Sequence, residues 1–120
     1  MTEWISGNVY IRAMGKNGKG LEPGEVVGGH THNFDHTTIC FCGNWHVTKW
    51  DPSGAVALDL EREGPFHVLI EKDCRHEFTF IGGAPVGHAW CIYSHRTPQG
   101  EISLEYNGWM DAYEQQIRAE

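Results

Sequence analysis

Residues Gly24–Gly43 read GEVVGGHTHNFDHTTICFCG and set three of the chain's eight histidines, His30, His32 and His36, between two bracketing glycines. Imidazole is the commonest protein ligand for transition metals, so this density points first to a metal site. In a β-strand successive side chains alternate faces, which sets His30 and His32 on one side and Thr31 on the other. Asn33-Phe34-Asp35 supplies a turn that can return His36 from the next strand. The expected unit is a short hairpin holding three imidazoles within reach of one ion.

Outward from this hairpin, glycine and other turn formers punctuate short apolar or alternating runs, the pattern of an all-β domain. The spacing predicts strands over Asn8–Ala13, Glu25–His32, Thr37–Cys42, Trp45–Trp50, Ala55–Glu61, Phe66–Ile70, Glu77–Ile81, His88–Ser94 and Ile102–Tyr106. Asp51-Pro52-Ser53-Gly54 reads as a hairpin turn, and Gly15–Gly24 as a mobile connection without strand character. Near the C-terminus the period changes. Trp109, Tyr113 and Ile117 mark a short amphipathic helix at about 108–118, expected to pack outside the sheet or on a partner subunit. Strands at this density in 120 residues imply one domain, residues 1–120, built as a sandwich or barrel.

The net charge of −7 and nine scattered basic residues argue against nucleic acid, whose backbone demands clustered Lys and Arg. The N-terminal MTEWISGNVYIRA lacks a positive segment followed by an apolar stretch, and no apolar run approaches the roughly 18–20 residues that span a bilayer. A cytoplasmic protein with no membrane partner is expected. Cys40, Cys42, Cys74 and Cys91 are therefore read as free thiols; Cys40 and Cys42, two apart on one strand, are poorly placed for a disulfide.

Gly24, EVVGG, His30-Thr31-His32, NFD, His36, TTICFC and Gly43 together resemble the first motif of the cupin superfamily, with His36 where that family usually has Glu. The second motif is matched mainly through His76. In Glu71-Lys72-Asp73-Cys74-Arg75-His76, Glu71 takes a proline place and Asp73 the place of a turn glycine, while Phe80 stands where an Asn is usual. The resemblance covers about residues 20–95. It implies an all-β, cupin-type jelly-roll barrel with His30, His32, His36 and His76 converging on one divalent transition metal. Fe(II) is favoured, with Zn, Ni, Mn or Cu compatible.

Four neutral imidazoles would leave a divalent ion its full charge, making it a strong Lewis acid that draws a small anionic ligand. Continuing by twos from His36, Thr38, Cys40 and Cys42 are expected to face inward, as are Phe78 and Phe80 after His76. Cys40 is read as a small buried hydrophobe, and Trp45, Trp50, Trp90 and Tyr93 as core or interface residues. His46, His67 and His95 are read as solvated or hydrogen-bonded, and Arg75 as solvated or as an anion contact at the barrel mouth. His88 is a candidate to support the ligands; with Tyr93 and Tyr10 it also supplies the candidates for a general base, none of them placed by a motif. Three functions stay open. The first is a mononuclear non-haem iron dioxygenase acting on a small anionic molecule. The second is a non-redox metal-dependent lyase, isomerase or hydrolase, and the third a non-catalytic metal- or ligand-binding module. A homodimer is compatible with all three.

Overall fold

The structure, a computed structural model, describes residues 3–6, 9–31 and 35–94. Nine strands run β1 (Glu3–Ser6), β2 (Val9–Ala13), β3 (Val26–His30), β4 (His36–Cys40), β5 (Asn44–Trp50), β6 (Val56–Glu63), β7 (Phe66–Ile70), β8 (His76–Gly82) and β9 (Ala89–Ser94). They form two antiparallel sheets, one ordered β1-β2-β9-β4-β7 and the other β3-β8-β5-β6. The all-β jelly-roll expectation holds.

Alternation decides which side chains fill the space between the sheets. β4 buries His36, Thr38 and Cys40, β7 buries Phe66, Val68 and Ile70, and β8 buries His76, Phe78 and Phe80. Side chains two apart on a strand share a face, so a strand with one buried face must show this rhythm. The ladder registers then stack the five-stranded sheet's inner face into three rows. Met14, Ala89, Cys40 and Phe66 make the first row, and Arg12, Cys91, Thr38 and Val68 the second. In the third, Tyr10 opposes Tyr93 and His36 opposes Ile70. Against these rows the other sheet sets Trp45 opposite Phe80, Val47 opposite Phe78, and Lys49 opposite His76. The apolar rows carry the stability, since Trp45, Phe78, Phe80 and Val47 are fully buried.

Several boundaries differ from the sequence reading. β1 was not anticipated, and β4 and β8 begin on His36 and His76 rather than one residue later. β4 also ends at Cys40, so Cys42 lies beyond the strand and is exposed rather than inward-facing. Gly15–Gly24 is not bare connection. It carries a 3-10 turn at Lys16–Gly18, and Leu21, only 1% exposed, exchanges backbone hydrogen bonds with Gly87 at 2.8 and 2.7 Å. Asp51-Pro52-Ser53-Gly54 does turn β5 into β6, with the Gly54 N–H donating to the Asp51 carbonyl at 2.9 Å. The strand expected at Ile102–Tyr106 and the helix at about 108–118 lie outside the described residues.

The Leu21 strap presses Gly87 onto the core, where an added Cβ would meet Cγ of the buried Phe80 ring at 2.3 Å. Gly87→Ala should therefore lower stability by about 1–3 kcal/mol, the usual cost of overpacking. Urea unfolding would show a lower midpoint with an unchanged slope.

Candidate metal centre

Two of the four histidines singled out above are described with their side chains, and the fold brings them together. His36 opens β4 and His76 opens β8, on facing sheets. Both are buried, 3% and 2% exposed, and their ring centroids are 5.4 Å apart in an edge-on arrangement. Two imidazoles sharing one ion through nitrogens at 2.0–2.1 Å would have centroids about 4.5–5.5 Å apart. The pair fits a common ion on that measure.

Local structure explains each position. The turn before β8 places Asp73 at φ +64, a left-handed conformation that favours glycine and that Asp tolerates better than most residues. This is the place where the resemblance put a turn glycine. The Lys72 N–H donates to the Asp35 carboxylate at 2.7 Å, which ties the residue before His36 to the turn before His76. On β3 the register shifts between Gly28 and His30, leaving Gly29 as the extra residue of a bulge. Without the shift, Gly29 would oppose His76; with it, His30 does. Gly28 is required there, at φ +144, because a Cβ would sit 2.2 Å from the His76 carbonyl oxygen. The His30 side chain and His32 lie outside the described residues, and no group of three or more His, Cys, Asp or Glu side chains suited to a metal occurs among those described.

Hydrogen bonding fixes which nitrogen of His76 is available. Its Nδ1 lies 3.0 Å from the Cys74 carbonyl oxygen, which only accepts, so the proton is on Nδ1 and the lone pair on Nε2. A backbone carbonyl behind the ring is the usual support for a ligating imidazole. His36 Nδ1 lies 3.3 Å from Thr38 Oγ1, which in turn lies 3.6 Å from Cys91 Sγ.

The surroundings are largely neutral. Among the described residues no carboxylate is buried; the buried polar side chains are Arg12, His36, Thr38 and His76. Tyr93, 4% exposed, comes one step after Thr37↔Ile92 on the β4–β9 ladder, next in register to His36; its ring packs on Tyr10 at 5.0 Å. Lys49, opposite His76, donates to both Glu71 carboxylate oxygens at 3.1 and 2.9 Å and to the Leu69 carbonyl at 3.2 Å. It joins the two sheets at the histidine end, and its hydrogen bonds hold the Glu71 carboxyl below the usual range.

Other expected residues fall elsewhere. His88 precedes β9 and shares the outward parity of Trp90; it is exposed and lines, with Phe41, Cys42, Val86 and Trp90, a depression of about 420 Å³. It does not stand behind the histidine pair. Arg75 lies over the Trp50 ring, 3.9 Å from its centroid, and is engaged there. His46 bonds Asp59 at 2.5 Å and His67 is exposed, as expected of solvated or hydrogen-bonded residues, while His95 is outside the described residues. Arg12, which no motif marks, is buried on the same inner face, two strands from β4 and in the row next to that of His36.

All four cysteines are free, as expected. Burial pushes the Cys40 thiol up to about 12, with Cys91 nearby adding to the effect, and pushes Cys91 to about 11 against lowering by the Thr38 hydrogen bond and the Arg12 charge. At pH 8 a thiol reagent should label Cys42 in the native protein and reach Cys40 and Cys91 only on unfolding. The raised values also set an alkaline limit. Above the ordinary thiol value of 9.0 the unfolded chain loses protons that the folded chain keeps, so stability should fall from about pH 9 towards 12. Replacing Cys40 by Ser or Ala should flatten that fall in pH-dependent urea midpoints.

The fold, with its inward histidines at one end, is the double-stranded β-helix of the cupins. The structure of KdgF from Halomonas sp. is similar to it at TM-score 0.57 and 13% identity, over 77% of this chain and 74% of that one. A cupin superfamily protein from Desulfitobacterium hafniense aligns at TM-score 0.55 and 14% identity, over 78% and 72%. An RmlC-like cupin with a double-stranded β-helix fold from Methanocaldococcus jannaschii gives TM-score 0.51 and 13% identity, over 72% and 67%. An oxalate oxidase shares the fold at TM-score 0.52 and 10% identity, over 70% of this chain and 39% of that one. No family's sequence model and no curated protein sequence matches the chain.

Proposed function

We propose that this protein is a metal-dependent cupin enzyme that holds one divalent transition metal through His36 and His76 together with His30 and His32, and acts on a small organic anion as an oxygenase. The observation that carries this reading is the buried His36–His76 pair, 5.4 Å between centroids, with Nε2 of His76 left as the electron-pair donor. Iron held by neutral imidazoles would supply Lewis acidity and the electrons that dioxygen requires. The chain's own part is positional. The Cys74 carbonyl and Thr38 fix the two rings, the Lys49–Glu71 clamp fixes the sheets, and the apolar rows beneath exclude water. An interior without a described carboxylate suits chemistry that needs little proton transfer from the protein.

One observation favours a second reading. Tyr93 is next in register to His36 on the inner face, where a phenol could hold or move a proton for a non-redox lyase or isomerase.

Protein purified without a polyhistidine tag or nickel resin should carry near-stoichiometric metal, reduced several-fold in His36→Ala and in His76→Ala. Metal affinity should weaken as pH falls through about 6.5, because protonated imidazole cannot coordinate. Oxygen consumption by the iron form with a panel of small carboxylates decides between the readings: uptake supports the oxygenase, and turnover without uptake supports the Tyr93 alternative. Unchanged metal content in both variants would sink the site.

A further inference from the structure

We infer that Cys91 is a positioning residue for the histidine centre, acting through Thr38 to hold the His36 ring in the tautomer whose Nε2 carries the lone pair. The inference deepens the metal reading above and rests on it for the use made of that nitrogen.

The two rings are supported by groups of different kinds. Behind His76 stands the Cys74 carbonyl oxygen, 3.0 Å from Nδ1, which can only accept and so settles the proton on that nitrogen. Behind His36 stands the Thr38 hydroxyl, with Oγ1 3.3 Å from Nδ1. A hydroxyl can accept from an Nδ1–H, or it can donate to a bare Nδ1. The second arrangement puts the ring proton on Nε2 and leaves that nitrogen no lone pair for an ion. Thr38 by itself therefore does not choose the tautomer. The choice depends on where its single hydroxyl proton goes.

Strand register gives that proton a second destination. Thr38 pairs directly with Cys91 on the β4–β9 ladder, and its Oγ1 lies 3.6 Å from Cys91 Sγ. His36, Thr38 and Cys91 are all buried, and Val68, the neighbour of Thr38 on β7, brings no polar side-chain atom. With the O–H directed at sulfur, the oxygen lone pairs are left to His36. The chain then runs from Nδ1–H to Oγ1 and from O–H to Sγ.

Charge favours this direction over its reverse. The Thr38 hydrogen bond and the charge of Arg12, the partner of Cys91 on β2, both act against burial to stabilise negative charge on the sulfur. Sulfur is thereby the receiving end, and a hydroxyl that gives its proton to one neighbour becomes a better acceptor for the next. The reverse chain would ask a thiol, a weak donor, to drive it. Cys91 thus does for His36, through one intervening hydroxyl, what a backbone carbonyl does directly for His76.

The test reads the tautomer from the imidazole nitrogen shifts in NMR of metal-free protein at about pH 8, where the rings are neutral, beside calorimetric titration with zinc. In wild type His36 and His76 should both be Nδ1–H forms. Cys91→Ala should move His36 towards the Nε2–H form and weaken zinc binding about 3- to 10-fold, the range of one lost hydrogen bond, with His76 unchanged. Cys91→Ser should restore both readouts towards wild type. Serine leaves nearly the same space as alanine, so a loss caused by packing alone would persist in it. In a Thr38→Val background Cys91→Ala should move neither readout further. An Nε2–H form of His36 in wild type overturns the inference without any variant, which covers the case of a Cys91→Ala that does not fold. A folded Cys91→Ala that keeps the wild-type tautomer overturns it, as does a Cys91→Ser that behaves like Cys91→Ala. Wild type that binds no zinc overturns the metal reading instead, and the tautomer of the metal-free protein still reads Cys91.

Discussion

At one end of the sandwich, facing sheets bring the buried rings of His36 and His76 to 5.4 Å between centroids. Imidazoles taken out of water must satisfy their polar atoms inside the protein, or the fold bears the cost of desolvating them. The rest of the architecture can be read as meeting that demand. His76 uses the Cys74 carbonyl of its own turn, and His36 meets Thr38 two residues along its strand. The spacing between the rings is set by what fills the adjacent rows: Phe78 and Val47 on one sheet, Thr38, Cys91 and Val68 on the other, all buried. The Asp35–Lys72 bond and the Lys49–Glu71 clamp then stop the open end from splaying.

A scarcity of anionic groups among the described inner residues is the second property of this packing. Cys40 and Cys91 are buried deeply enough to stay protonated, and no described carboxylate enters the interior. Among the described residues, such an interior offers few groups that move protons and no buried carboxylate. Tyr93, next in register to His36 on the neighbouring strand, is a phenol and not a carboxylate.

Much of this was legible in the sequence because a strand with one buried face must alternate. TTIC after His36, and FTF after His76, show the rhythm openly, and both histidines fall in phase with it. The Asp73 turn was legible too, since Asp is among the few non-glycine residues at ease with positive φ. What alternation cannot supply is phase at a strand end. A strand that stops at Cys40 rather than Cys42, or begins at Ala89 rather than His88, releases a terminal residue from the pattern or reverses its face. Cys42 and His88 were misread for that reason. The bulge at Gly28–His30 was hidden for a related one. Two adjacent glycines hint at an irregularity, but the shift that sets His30 opposite His76 exists only relative to β8.

Arg12 shows the converse failure, in which hydrophobicity points to the wrong face. In VYIRAM the apolar set Val9, Ile11 and Ala13 offers itself as the inner face, yet Tyr10, Arg12 and Met14 are the residues in phase with the interior. The choice is made by the partner strand. β9 buries Ala89, Cys91 and Tyr93, and register with it carries Arg12 inward whatever its polarity. A fold governed by packing alone would have reason to place an apolar residue there, because charge is among the costliest things to bury. Arg12 is held there by an interaction within the protein as well as by its strand register, and that contact offsets the cost of burial. The polar end of the sandwich then gathers His36, His76, Arg12 and Tyr93 in adjoining rows between the sheets, placed there by register and not by hydrophobicity.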